Sequence, residues 1–234
     1  NAFYSVVMTD TSLYVQERND TTLLHHKILW ALGGKNVYYF LTSINGGRLQ
    51  TLPLAFNVNT QLWYNNPESA IRHFPNMGNQ EITDEALSWR HHQYTFNTSC
   101  YGCHVSQLSN NYDLESNSYE TNWKETGINC ETCHGPAGEH VQAARMAAKN
   151  GEKLEDIKLI VTSTFTQEQH NASCAPCHAK MRALTPSYLP GDRYFDNYDL
   201  ITLENTDFYP DGRDLGENYT MTGWHMNPCV KESE

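Results

Sequence analysis

No run of apolar residues in this chain approaches the ~20 needed to cross a bilayer as a helix, so it offers no transmembrane candidate. Basic residues are also scarce. Lysine and arginine number 16 against 27 acids, leaving a net charge of −11 with histidine neutral. Binding nucleic acid needs a basic face, so that class of partner is excluded. Hydrophobic residues make up only 39% of the chain and the mean hydropathy is −0.63, which is polar for 234 residues. Side chains alone therefore promise a thin core. No segment is of low complexity, and no βαβ pattern is visible. The sequence opens at Asn1 with no methionine and no signal peptide. Its length suits one domain, or one and a small extra.

Against this background, six of the seven cysteines fall into one repeated pattern. Cys100-Tyr-Gly-Cys103-His104, Cys130-Glu-Thr-Cys133-His134 and Cys174-Ala-Pro-Cys177-His178 each read C-x-x-C-H, the attachment signature of c-type haem. Two thiols form thioethers to the porphyrin, and the adjoining histidine reaches the iron of that same group. Zinc is the first rival, because paired cysteines with nearby histidines build tetrahedral sites. A zinc ribbon does not need a histidine directly after each second cysteine, yet all three pairs have one. A thioredoxin-like pair would occur once, beside a βαβ unit. Disulfides would leave the histidines unexplained. Three haem c groups are therefore expected, and their flat apolar faces would complete the thin core. The six cysteines would bind the cofactor, and His104, His134 and His178 would be the proximal iron ligands. Cys229 has no following histidine and is no fourth attachment site.

Each iron needs a sixth ligand or an open position, and eight of the eleven histidines lie outside the motifs. His140 is the first candidate. It follows His134 across Gly135-Pro136 and falls on the first turn of an expected helix over Ala137–Lys149, from which a neighbouring haem is in closer reach than its own. His73 and His92 are further distal candidates, with His91 beside His92. His25 and His26 are read as a solvated loop, and His170 and His225 as non-ligands. Methionine is the alternative ligand and would raise the potential.

Along the chain, residues 1–66 read as a small β-rich subdomain and 67–234 as the haem domain. Val37–Leu41, Arg48–Phe56 and Leu62–Tyr64 are rich in aromatic and branched residues, with Asn45-Gly46-Gly47 as a hairpin signal. A short helix is expected near Thr83–His91, and Thr166-x-x-Gln169 marks a capping box leading into the third motif. Pro190-Gly191-Asp192 and Pro210-Asp211-Gly212 read as turns. Asp113, Glu115 and Asn117 fall short of a calcium loop and read as solvated. Asp192, Asp196 and Asp199 read as turn and cap residues. Trp89, Tyr101 and Trp123 are expected to pack on porphyrin. Sequons at Asn19, Asn97, Asn171 and Asn218 permit glycosylation without predicting it. The expected fold is mainly irregular, with short α-helices packed around c-type haems after the small β-rich subdomain.

The segments Phe96–Leu108, Gly127–Pro136 and Cys174–Lys180 resemble a family of large multihaem c-type cytochromes, many of which carry tetratricopeptide repeats. Gly33–Leu41, Gly47–Pro53 and Pro210–Asn218 are similar to it too. Family members have a further C-x-x-C-H before the region of Tyr4 and more beyond that of Cys229. The resemblance implies an internal section of a longer cytochrome or a short relative; since haem c is attached outside the cytoplasm, the N-terminus is expected to be processed or the sequence a fragment. It also implies that the histidine of Cys-His-Gly-Pro-x-x-x-His, here His140, is a ligand. The expected function is electron transfer between covalently bound, mostly bis-histidine haems, outside the cytoplasm, in the periplasm, the extracellular space or at the cell surface. The expected partners are redox proteins, with a homo-oligomer or a larger cytochrome complex as a further possibility. The first alternative is a reductase of a small nitrogen or sulfur oxyanion at a five-coordinate haem, although no C-x-x-C-K motif is present. The second is a subunit of a cytochrome filament or redox complex.

Overall fold

The structure is a computed structural model describing residues 2–70, 73–74, 82–83, 85–185, 188–202, 204, 208–209 and 221. It is a mixed chain of small sheets and short helices that divides into two compact units. The first holds Asn1–His104 and Asn110–Asn122, and the second holds Val105–Ser109 and Trp123–Glu234. Among the described residues no helix is long and apolar enough to cross a membrane.

In the first unit, β1 (Phe3–Met8), β2 (Leu13–Arg18) and β3 (Leu23–Lys27) form an antiparallel meander. Its register sets Val6 opposite Val15 and Val15 opposite His26. A second sheet contains β4 (Trp30–Gly33), β5 (Val37–Ile44), β6 (Arg48–Thr51), β7 (Leu54–Asn57) and β8 (Leu62–Asn65). The eight-residue strand β5 is its centre and pairs with β4, β6 and β7. The expected hairpin is present. Asn45–Gly47 forms a tight turn with Gly46 at φ 71° and Gly47 at φ 67°, a region glycine enters without a Cβ penalty. The expected strand over Arg48–Phe56 is two strands, because Pro53 cannot donate to a ladder and β6 stops short of it.

The core of this unit is made by Val15, Phe40, Leu52, Leu54 and Trp89, with Tyr4, Val6, Ile28, Tyr38, Ile44 and Phe56 packed against them. α1 (Asn66–Ser69) follows β8 with Asn65 as its cap. β9 (His73–Phe74) and β10 (Ile82–Thr83) then pair antiparallel. The helix expected near Thr83–His91 is not formed at residues 85–91, which run as irregular chain into a 3₁₀ turn at His92–Tyr94. Tertiary contacts override local propensity there, since Trp89 is pulled into the core at 2% exposure.

A π-helical turn at Phe96–Cys100 leads into α2 (Tyr101–His104). In the second unit β11 (Val105–Ser106) pairs with β14 (Glu125–Thr126). In the first, β12 (Tyr112–Asp113) and β13 (Ser118–Tyr119) form a hairpin. Asp113 there accepts the Ser116 amide at 2.9 Å, and Asn117 accepts Arg48 Nη2 at 2.8 Å, so this segment is a turn held by its own carboxylate and by Arg48. The helices of the second unit are α3 (Cys130–His134), α4 (Gly138–Asn150), α5 (Gln167–His178) and α6 (Tyr194–Asn197). β15 (Met181–Ala183) pairs with β16 (Tyr198–Leu200). The core of this unit is Ala172, Ala175, Ala179, Tyr194, Tyr198 and Met221. Pro210–Gly212, His225 and Cys229 lie outside the described residues.

Candidate haem-binding site

Each of the three C-x-x-C-H motifs ends a helix, and each is placed by a local device. For the first, the device is a buried polar hub. Gln50 on β6 is fully buried and donates to the carbonyls of Trp89 at 2.6 Å and His91 at 2.9 Å. Its own carbonyl accepts from Thr95 Oγ1 at 2.9 Å. Asn97, also fully buried, accepts the Leu49 amide at 2.7 Å and donates to Thr121 Oγ1 at 2.7 Å. Buried polar atoms must find partners, so these bonds pin the approach to Cys100 against the sheet. Asn97 is thereby closed to glycosylation despite its sequon. Only one polar residue on a strand, Gln50, hinted at the hub.

The second motif starts from a capping box. Asn129 accepts the Thr132 amide and the Thr132 hydroxyl accepts the Asn129 amide, each at 3.2 Å. Thr132 is one of the two spacer residues between the cysteines, so the cap lies inside the motif. Glu131, the other spacer, accepts the Ala137 amide at 2.7 Å. Gly135 ends the helix at φ 70° and ψ −173°, a conformation that side-chain-bearing residues avoid. The chain therefore turns sharply away directly after His134. The His134 ring is anchored as well. Its Nδ1 lies 3.0 Å from the Ile160 carbonyl oxygen. A carbonyl only accepts, so Nδ1 carries a proton, and in the neutral ring, the form that ligates a metal, the lone pair lies on Nε2.

The third motif closes α5, whose capping box at Thr166 and Gln169 forms as expected. Ala172, Ala175 and Ala179 bury one face of the segment against Tyr194 and Tyr198. The Tyr194 hydroxyl is buried without a hydrogen-bond partner among the described residues. Burial also pushes the Tyr194 phenol up, so it stays a donor.

Of the six motif cysteines, Cys103, Cys130, Cys133 and Cys174 are exposed and Cys100 and Cys177 half-buried. Among the described residues, no group of three or more His, Cys, Asp or Glu gathers as a metal cage, so the motif cysteines do not converge as a zinc site would require. Burial pushes His104 down and keeps its ring neutral, the form that ligates a metal. These features fit haem c: largely exposed cysteine pairs, a histidine directly after each pair, and an orphan donor beside the third helix.

The candidate distal ligands differ. His140 stands on the first turn of α4, where it was expected, and its Nδ1 lies 2.6 Å from the Ile157 carbonyl oxygen. The same reasoning leaves its Nε2 free. His92 is exposed, and its ring lies 4.2 Å from that of His91. The Nδ1 of His91 accepts the Gln93 amide at 3.4 Å, so its lone pair there is engaged as a helix cap. His73 begins β9. His170 sits on α5, edge-on to Phe165.

Two expectations need correction. His26 is no loop residue. It lies on β3, bonds to Glu17 at 2.9 Å and packs edge-on against Trp89. His25 is on the same strand, bonded to Gln16 at 2.8 Å. Trp89 does not wait for a porphyrin: it is a core residue of the first unit, capped by the Arg90 guanidinium 4.2 Å from its ring centroid. Chain proximity to a motif misled there, because the segment folds back under the sheet.

Residues 57–135 match the family described as cytochrome c554 and c-prime, a span that contains the first two motifs. The fold is similar to that of the crystal structure of the outer cell wall cytochrome OcwA, with a TM-score of 0.52 and 18% sequence identity. That similarity covers 82% of this chain and 37% of the other, so the chain spans little more than a third of that protein's length. No curated protein matches the chain. The family match is confined to residues 57–135, and the structural neighbour shares the fold.

Proposed function

We propose that this chain is a multihaem c-type cytochrome section that carries electrons between three covalently attached haems outside the cytoplasm. Cys100, Cys103, Cys130, Cys133, Cys174 and Cys177 hold the groups through thioethers. His104, His134 and His178 are the proximal ligands and His140 is a distal ligand, serving a haem other than its own neighbour in sequence. The bound haems supply one-electron redox chemistry, with potentials set by ligation, burial and hydrogen bonding. The observation that carries the reading is the second motif. Its thiols are open, and its histidine is oriented through Nδ1 so that Nε2 alone remains for a metal.

The chain's own residues do the remaining work. The hub at Gln50 and Asn97 holds the first attachment helix. The capping boxes at Asn129 and Thr166 start the second and third. Net charge −11 favours basic or redox-protein partners. Residues 67–234 then form the haem-bearing part, preceded by the β-rich residues 1–66. An extracellular or cell-surface location agrees with thioether attachment and with the outer cell wall cytochrome that shares the fold.

Electron paramagnetic resonance of the oxidised protein tests the reading. A purely low-spin spectrum is expected of an electron carrier whose irons each have two axial ligands. A high-spin iron would overturn it in favour of a reductase with an open coordination position.

A further inference from the structure

The two histidines with a free Nε2 share an unusual support. The carbonyls that orient them, Ile157 O for His140 and Ile160 O for His134, lie three residues apart in one segment. Ile160 grips His134 twice, since its amide also donates to the His134 carbonyl at 3.0 Å. Ile160 further packs its side chain over Gly135, 2.8 Å from where a Cβ would sit. The segment returns along α4 after Gly151, whose left-handed conformation caps that helix.

The shape of the segment comes from the Asp156 side chain and the backbone of Lys158. Asp156 Oδ1 accepts the Lys158 amide at 2.9 Å, closing an Asx turn around Ile157. Lys158 is thereby held at φ 54°, the left-handed region. The turn is what aims the Ile157 carbonyl at His140. The ion pair between Asp156 and Lys158, at 2.6 Å, is exposed and contributes little by itself.

We infer that residues 156–160 form a positioning strap that sets the ring orientation of His134 and His140 together, with Asp156 as its positioning residue. The inference rests on the ligand reading above. If His134 serves the second haem and His140 a neighbouring one, one turn of chain links the ligation of two irons. A disturbance at Asp156 then reaches both through the backbone of the strap.

The test compares Asp156→Ala, Asp156→Asn, Lys158→Gly and His140→Ala in the haem-loaded chain, by low-spin resonance and by the rate of carbon monoxide binding to the reduced protein. Asp156→Ala removes the acceptor. It should shift the low-spin signals and speed carbon monoxide binding about tenfold, the low end of effects seen when groups behind a metal ligand are lost. Asp156→Asn keeps an acceptor oxygen and should restore the parent behaviour. Lys158→Gly keeps the left-handed turn without a Cβ and should also behave as the parent. An unchanged Asp156→Ala protein, in a chain where His140→Ala creates a high-spin iron, overturns the strap and leaves the ligand reading standing. A His140→Ala protein that stays wholly low-spin overturns both.

Discussion

The two units solve the core problem in opposite ways. The first packs a tryptophan, a phenylalanine, two leucines and a valine between its sheets, and would be recognisable as a small β domain without any cofactor. The second has three alanines, two tyrosines and a methionine at its centre. Its longest helix, α4, has thirteen residues and buries none of them. Ile128, Val141, Met146, Ile157 and Val161 stand exposed around the second motif. The burial of apolar surface is the main driving force for folding, and here the polypeptide leaves that surface open. The haems we propose would cover it. One unit thus closes its core with side chains, and the other leaves apolar side chains open.

The strongest way to break this comparison is to deny the second unit its haems. Replacing Cys130, Cys133, Cys174 and Cys177 by alanine should abolish amide hydrogen-exchange protection in α4 and α5. The β5 strand should stay protected. Equal protection of α4 and β5 in that variant would show that the second unit folds on side chains alone.

In the first unit the largest effect should come from its own core. Trp89→Ala should cost about 3–5 kcal/mol by chemical denaturation, since it empties a fully enclosed site. If Trp89 instead lay against a porphyrin, the loss would appear as a shifted Soret band with little change in sheet stability.

A smaller effect should come from Glu17. Arg90 grips both its carboxylate oxygens, at 2.9 and 2.6 Å, and His26 adds a third contact. The Arg90 hydrogen bonds hold its pKa below the usual carboxylate value, against the opposing effect of burial, with His26 helping. The stability from this lowered value is therefore fully present above the ordinary carboxylate pKa. It is lost as pH falls through the lower folded value. Glu17→Gln should cost ~2 kcal/mol near neutral pH, less than a fully buried pair because Arg90 is half exposed. The gap between variant and parent should close in acid. A gap that widens in acid would contradict the assignment.

The smallest effect should come from Thr166→Ala. Loss of the cap of α5 should cost about 1 kcal/mol, read as local exchange in residues 167–170.

The parts of this molecule legible in the sequence were those fixed by neighbouring residues. The capping box at Thr166, the α4 helix and the Asn45-Gly46-Gly47 hairpin all depend on chemistry within a few positions. So do the three attachment motifs. What escaped depended on distant contacts. The β1–β3 meander draws its register from packing, and His26 looks like a loop residue until Glu17 and Trp89 are seen across it. The run from residue 85 to 91 lacks a helix because Gln50, some forty positions away, holds its carbonyls. The supports of His134 and His140 were invisible for the same reason, since backbone carbonyls at Ile157 and Ile160 leave no mark in side-chain identity.

The central claim is that the three C-x-x-C-H motifs each carry a covalent haem. The intact mass of the chain, matured outside the cytoplasm and freed of loosely bound metal by denaturation, tests it most directly. The account predicts the polypeptide mass plus three haems. A bare polypeptide mass, or one with fewer than three haems after full maturation, would contradict it.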